Sequence, residues 1–124
     1  MGITLDTGAL IALERRSARM LRMFDAAEQT HVRITIPAVV LAEWWRGRPS
    51  TRMGRLLEAA VLEALEPPLA RVAGEALAAV EGATTNDAIV VASAAQRGDT
   101  IFTSDVDDLT RLAEYFRAVR VLHV

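Results

Sequence analysis

Short apolar segments alternate with helical patterns along the chain, and this alternation constrains the fold more than any other feature of the sequence. The predicted strands span residues 2–5, 33–36, 100–103 and 119–122, with a short extended piece at 64–65. Short strands with few charges, separated by helices, are typical of parallel sheets covered by helices. The sequence therefore predicts an α/β fold with a mostly parallel central sheet flanked by helices on both faces.

Apolar residues at helical spacing predict the helices between these strands. They span residues 7–16, 17–29, 38–46, 51–64, 69–80, 86–96 and 106–116. Ser17 is a favourable N-cap for the second helix, and Pro37 suits the start of the third. The proline pair at residues 67–68 is too brief for a domain linker. We therefore expect one domain over residues 1–124.

Composition excludes several classes of protein. The chain has no cysteine, so it has neither a disulfide framework nor a thiolate metal site. It also has no lysine, which argues against a phosphotransfer receiver or a haloacid-type phosphatase, and no Gly-x-Gly-x-x-Gly follows the first strand. Neither a signal peptide nor a stretch long and uncharged enough to span a bilayer is present. We therefore expect a cytoplasmic protein that does not bind a membrane.

Four acidic residues stand beside apolar segments, where carboxylates are unusual. They are Asp6, Glu43, Asp87 and Asp105. Asp6 and Asp105 lie just past predicted strands, and the carboxyl ends of parallel strands face one crevice. Glu43 and Asp87 lie near the openings of helices that return over the sheet. Because converging carboxylates repel one another, they need a cation as a partner, and oxygen ligands alone suit Mg²⁺ or Mn²⁺ rather than Zn²⁺.

Each acid also has an alternative structural role. Asp6 is a good N-cap for the helix after it, and Asp87 favours a helix N-terminus that Thr85 or Asn86 would cap. Ser104 and Asp107 resemble a capping box, which would make Asp105 an ordinary first-turn acid. Glu43 lies in an apolar helix with little exposed face to spare, and its alternative role is an ion pair with a nearby arginine.

The basic residues are all arginines, 14 in number, and the net charge is −2. Base composition of the coding DNA explains the total. The cluster of Arg46, Arg48, Arg52 and Arg55 differs, because it concentrates cations just after Glu43 and would bind the backbone of a polyanion. The neighbouring Trp44 and Trp45 point about 100° apart on a helix, which favours packing in the core or in a dimer over base stacking.

Four motifs in order along the chain resemble those of the PIN-domain ribonucleases. They are LDTGAL at residues 5–10, PAVVLAE at 37–43, NDAIVVA at 86–92 and IFTSDVDDL at 101–109. Each motif is weak alone, but their order and intervals are specific. In length and layout the chain is similar to the VapC-type toxins of toxin–antitoxin pairs, and the resemblance covers essentially the whole chain.

This resemblance implies a function and a set of partners. Asp6, Glu43, Asp87 and Asp105 would form an acidic pocket that holds Mg²⁺ or Mn²⁺. Thr7 and Thr103 would be hydroxyl neighbours, Asp108 a further contact, and Gly8 stands where the family often has serine. The implied protein is an RNA-cleaving homodimer, inhibited by a VapB-like antitoxin whose tail lies across the pocket. The alternative is a catalytically inactive PIN-like scaffold that binds RNA.

Overall fold

Five parallel strands form the centre of the protein in a computed structural model, which describes residues 2–124. The strands are β1 (Ile3–Leu5), β2 (Ile34–Pro37), β3 (Val61–Glu63), β4 (Thr100–Thr103) and β5 (Arg120–His123). Every neighbouring pair is parallel, and the order across the sheet is β3-β2-β1-β4-β5. The predicted parallel sheet is confirmed.

The helices that connect the strands are α1 (Thr7–Glu14), α2 (Ala18–Thr30), α3 (Ala38–Trp44), α4 (Thr51–Ala59), α5 (Pro67–Ala79), α6 (Thr85–Arg97) and α7 (Val106–Phe116). They form two groups that cover the sheet. Helix α1 packs against α2, α3 and α4, while α6 packs against α5 and α7, and both α1 and α6 contact β1 and β4. Among residues 2–124, no helix has the length and apolar character needed to cross a bilayer.

One predicted element was wrong. The helix predicted over residues 51–64 ends at Ala59, and the next strand is β3 rather than the extended piece expected at 64–65. Ala60 leaves the helix with extended backbone angles, and Val61 then pairs with Thr35 of β2. This pairing is a tertiary contact that overrides the local helical pattern. The other predicted elements differ from the structure by at most two residues at either end.

The strand order creates the position of the site. From β1 the chain adds β2 and β3 on one side, and then β4 and β5 on the other. The connections after β1 and β4 therefore leave the sheet in opposite directions, which opens a crevice beyond the carboxyl ends of these two neighbouring strands. Asp6 directly follows β1, and Asp105 lies two residues beyond the end of β4.

Candidate active site

All four predicted acids line one cleft at this crevice. The cleft has a volume of about 110 Å³ and is lined by Asp6, Thr7, Gly8, Val40, Glu43, Asn86, Asp87, Val90, Ser104 and Asp105. We call it the acidic cleft. A larger groove of about 470 Å³ beside Ala113 and Val121 has only one acidic residue in its lining. Charge, rather than size, therefore distinguishes the acidic cleft from the other grooves of the surface.

Asp6 is held rigidly at the bottom of the cleft. Its side chain is the N-cap of α1, because Oδ1 accepts the Ala9 backbone N–H at 2.9 Å, and Oδ2 accepts the hydroxyl of Thr103. Burial raises the pKa of Asp6, and the charges of Asp87 and Asp105 raise it further, whereas the two hydrogen bonds lower it. The N-cap role is thus confirmed, and the same side chain also lines the cleft.

Thr103 connects Asp6 to Asp105. Its hydroxyl donates to Asp6 and accepts the backbone N–H of Asp105 at 2.8 Å. The predicted capping box was wrong, because α7 begins at Val106 and its N-cap is Asp105, which makes no side-chain capping bond. The carboxylate of Asp105 is exposed and lines the cleft.

Asp87 enters the cleft from the first turn of α6. The helix begins one residue earlier than predicted, so its N-cap is Thr84 rather than Thr85 or Asn86. The Thr84 hydroxyl accepts the backbone N–H of Asp87 at 3.2 Å. Partial burial raises the pKa of the Asp87 carboxyl, a hydrogen bond with the Thr84 side chain lowers it, and the charges of three other acids raise it further. They are Asp105, Asp108 and Glu43.

Glu43 completes the set from α3. Its Oε1 accepts the hydroxyl of Thr7 at 2.7 Å. The expectation that Glu43 lies on a crowded helix was wrong, because α3 has only seven residues and Ala42 and Glu43 face solvent. Among residues 2–124 Glu43 has no arginine partner, so its alternative role as half of an ion pair is not observed.

The donor chemistry of the cleft fits a hard divalent cation. Its lining holds four carboxylates and no basic residue. Within the described part of the chain, however, no three acidic, histidine or cysteine side chains are grouped closely enough to hold an ion between them. Mg²⁺ is usually bound through one or two carboxylates and several waters, so it does not require such a cage. The oxygen-only donors therefore suit Mg²⁺ or Mn²⁺ that is bound through one or two carboxylates and several waters.

Asp108 lies outside the acidic cleft. Its Oδ1 is 3.4 Å from Arg111 Nη2, and both side chains are about half exposed. Asp108 acts on the cleft only through its charge, which raises the pKa of Asp87. Thr7 and Thr103, by contrast, both hydrogen-bond to acids of the cleft, as the resemblance implied.

Two of the four predicted RNA-contacting arginines lie next to the acidic cleft. Arg46 and Arg48 line a groove of about 270 Å³ that shares Thr7 and Glu43 with the cleft. We call it the arginine groove. Arg15 lines it too, and sequence reasoning missed this residue. Helical spacing could have identified Arg15. Residues 7, 11, 14 and 15 lie on one face of α1 and its C-cap, and all four line the groove.

The other two arginines of the cluster do not line this groove. Arg55 pairs with Glu28 at 3.0 Å and lies 5.8 Å from the ring centre of Phe24. Arg52 is half-buried in α4. The predicted cluster therefore divides into a pair beside the cleft, Arg46 and Arg48, and a pair on α4.

The two tryptophans have different environments. Trp44 is buried in the core, which confirms core packing for this residue. Trp45 is 43% exposed and lines an apolar groove of about 490 Å³ with Leu41, Leu57 and Leu62.

The chain belongs to the PIN domain family, since the sequence model of that family matches residues 3–115. No curated protein sequence matches significantly. VapBC2 from Rickettsia felis, solved bound to a DNA fragment from their promoter, aligns with a TM-score of 0.78 and 14% identity, covering 100% of this chain and 99% of that one. FitAcB from Neisseria gonorrhoeae aligns with a TM-score of 0.63 and 20% identity, covering 97% and 96%. At such identities these likenesses show a shared fold.

Proposed function

We propose that this member of the PIN domain family is a Mg²⁺- or Mn²⁺-dependent endoribonuclease that acts as the toxin of a toxin–antitoxin pair. One observation carries the proposal: four carboxylates from four separate segments line one cleft that contains no basic residue. Burial and mutual repulsion raise the pKa of two of them, Asp6 and Asp87. Such an arrangement destabilises the fold, and acids perturbed in this way cluster at functional sites.

In this proposal Asp6, Glu43, Asp87 and Asp105 would hold the metal ion, one or two of them through direct bonds and the others through its bound waters. A bound ion would lower the pKa of a water molecule, which makes that water a better nucleophile once deprotonated, and would stabilise negative charge on the leaving oxygen. The chain fixes the acids in place through its own hydrogen bonds, from Thr103 and the Ala9 N–H to Asp6 and from Thr7 to Glu43. These bonds keep two of the carboxylates oriented before substrate arrives.

The reaction is hydrolysis of a phosphodiester by in-line attack of water. The water oxygen bonds to phosphorus, the bond from phosphorus to the 3′ oxygen breaks, and the products carry a 5′ phosphate and a 3′ hydroxyl. We assign removal of the water proton to Glu43 or Asp105, because these are the two exposed carboxylates of the cleft. The ribose 2′ hydroxyl takes no part as a nucleophile.

The arginine groove would guide the RNA strand to the cleft. It adjoins the acidic cleft through Thr7 and Glu43, and Arg15, Arg46 and Arg48 line it. Guanidinium groups bind phosphate oxygens through paired hydrogen bonds, and they offset the repulsion between the substrate and the acids.

The partners in this proposal are a VapB-like antitoxin and a second copy of the chain. Support comes from the fold shared with VapBC2 and FitAcB along nearly the whole chain. The antitoxin tail would lie across the acidic cleft and block it.

The homodimer would form at the apolar groove lined by Trp45 and Leu62. Both residues are more than two-fifths exposed, so the groove offers an apolar surface for a second copy of the chain. Light scattering on the purified chain would test for a mass of two chains.

The test of the nuclease is cleavage of end-labelled RNAs with Mg²⁺, with Mn²⁺ and with a chelator, by the parent and by Asp87→Asn. Asp87 is the better position to change, because it is only partly buried, whereas Asp6 is buried and both of its carboxylate oxygens accept hydrogen bonds. We expect metal-dependent cuts with 5′ phosphate ends, and a loss of at least about 100-fold in the variant. Full activity in Asp87→Asn would overturn the assignment of the metal site.

Thermal unfolding tests metal binding without catalysis. An ion that binds only the folded chain stabilises it by about 2.7 kcal/mol at 100 times its dissociation constant. We expect Mg²⁺ to raise the melting temperature of the parent more than that of Asp87→Asn.

The alternative function is a catalytically inactive RNA-binding scaffold. It is favoured by the lack, among the described residues, of a group of three or more acidic or histidine side chains close enough to hold an ion. It predicts RNA binding that Asp87→Asn leaves unchanged, with no cleavage under any metal.

A further inference from the structure

Gly8 and Ser104 occupy the same small space at the mouth of the acidic cleft. A Cβ atom added at Gly8 would lie 2.1 Å from the Ser104 hydroxyl oxygen, 3.0 Å from its Cβ and 3.1 Å from its backbone N. Gly8 does not have a positive φ, so its backbone does not require glycine. A side chain at this position would instead force the Ser104 hydroxyl to move out of the shared space.

The Ser104 hydroxyl is available to a ligand. The hydroxyl of Thr7 donates to Glu43 and that of Thr103 donates to Asp6. Ser104 lines the same cleft, is exposed, and makes no side-chain hydrogen bond within residues 2–124. Unlike the hydroxyls of Thr7 and Thr103, that of Ser104 therefore has a proton to donate to a ligand.

We propose that Ser104 contacts the substrate, donating a hydrogen bond from its hydroxyl to a phosphate oxygen of the strand in the acidic cleft. The inference rests on the proposed nuclease function. A phosphodiester that approaches four carboxylates needs donors beside them, and a neutral hydroxyl supplies one without forming an ion pair with the acids. Gly8 then contributes to the same contact, because a side chain at position 8 would displace the Ser104 hydroxyl.

The first experiment compares Ser104→Ala with the parent. Removal of one neutral donor should lower kcat/KM for RNA cleavage by about three- to tenfold and leave the melting temperature unchanged, since the hydroxyl has no partner within the described chain. Unchanged kcat/KM would overturn the inference.

A pair of double variants places the hydroxyl on the opposite side of the shared space. In Gly8→Ser/Ser104→Gly the helix supplies the hydroxyl that the loop has lost, whereas Gly8→Ala/Ser104→Gly supplies only the carbon. Both keep the same 3.1 Å contact with the backbone N of residue 104, so they differ by one oxygen. We expect the serine version to cleave about three- to tenfold faster than the alanine version. Equal rates would show that the hydroxyl does not act on the substrate.

Two further measurements separate this inference from the nuclease itself. Gly8→Ser alone should lower the melting temperature by several degrees, and adding Ser104→Gly should restore it, whether or not RNA is cut. In the Asp87→Asn background, Ser104→Ala should weaken binding of a fluorescent single-stranded RNA by about three- to tenfold. If the parent cleaves nothing, the nuclease fails but weakened binding still supports the contact. Unchanged binding overturns it.

Discussion

The two ends of α6 use acidic residues in opposite ways. Asp87 lies in the first turn and Arg97 is the last residue, about 15 Å further along the helix axis. At the Arg97 end, Glu63 and Asp99 both pair with the arginine. At the Asp87 end, four acids line the acidic cleft, and no arginine is among its lining residues. The acids at the Arg97 end are thus neutralised by an arginine of the fold, whereas no basic residue lies among those that line the acidic cleft.

The Arg97 end is a nearly complete hydrogen-bond network. The Arg97 guanidinium donates to Asp99 at 2.9 Å, to Glu63 at 2.8 Å and to the Ser93 hydroxyl at 2.9 Å. Thr4 adds a bond to Asp99 at 2.9 Å. Asp99 is only 1% exposed, so the arginine is the cation that makes its burial tolerable.

The largest effect should follow from removal of that cation. Arg97→Met would leave the buried Asp99 and the partly buried Glu63 without their partner, because both acids rely on this one guanidinium. Breaking a buried pair in this way costs about 3–5 kcal/mol. Urea unfolding of the parent and the variant measures the loss.

Arg111→Met is the matched control for this change. Arg111 pairs with Asp108 at 3.4 Å, and both side chains are about half exposed. Exposed pairs contribute about 0–1 kcal/mol, so the control should unfold almost like the parent. Equal losses in the two variants would mean that the Arg97 network stabilises the fold no more than an exposed ion pair does.

The next effect concerns pH, and it should have the opposite sign at the cleft from ordinary acid denaturation. Asp6 and Asp87 have a raised pKa in the folded chain, so at pH values above the usual pKa of 3.8 the folded state binds more protons than the unfolded state. Their contribution to stability is therefore lost as pH rises through the raised folded pKa, and regained as pH falls.

Urea unfolding with a chelator present, over a pH series that runs downward from neutral pH, measures this contribution. We expect Asp87→Asn to gain less stability than the parent between the higher and the lower pH, because it lacks one of the two titrating groups. Saturating Mg²⁺ should reverse the advantage of low pH in the parent. Identical pH dependence in the parent and in Asp87→Asn would mean that the acids of the cleft do not oppose folding.

The contrast between the two ends was only partly visible in the sequence. The four acids of the cleft could be predicted, since each stands beside an apolar segment and two follow strands. The resemblance placed Thr7 and Thr103 near the acids, but the acid that each hydroxyl binds could not be predicted, because Thr103 and Asp6, for example, are 97 residues apart. The contact of Ser104 with Gly8 could not be predicted either, since only the folded sheet brings the segments after β1 and β4 together.

The fold was predictable where local pattern and tertiary pairing agree. Strand β4 and helix α7 match their predicted bounds, because nearly all of their buried residues are apolar. Strand β3 was missed for the opposite reason. Val61 and Leu62 are both more than two-fifths exposed, and their apolar side chains extended the helical pattern of α4 in the sequence. Only pairing with β2 determines that this segment is a strand.

The smallest effect should separate a paired arginine from an unpaired one on the surface. Arg48 lines the arginine groove and makes no ion pair within residues 2–124, whereas Arg55 is held by Glu28 at 3.0 Å. In the Asp87→Asn background, Arg48→Gln should weaken RNA binding about two- to fivefold and reduce the slope of log affinity against log salt by about 0.7, the value for one phosphate contact on a single strand. Arg55→Gln removes the same charge, so it controls for net charge and should leave that slope unchanged. Fluorescence anisotropy over a salt series measures both. Equal slopes in the two variants would mean that the groove next to the acids is not the path of the strand, and that a free guanidinium, unlike a free carboxylate, does not mark a binding surface in this protein.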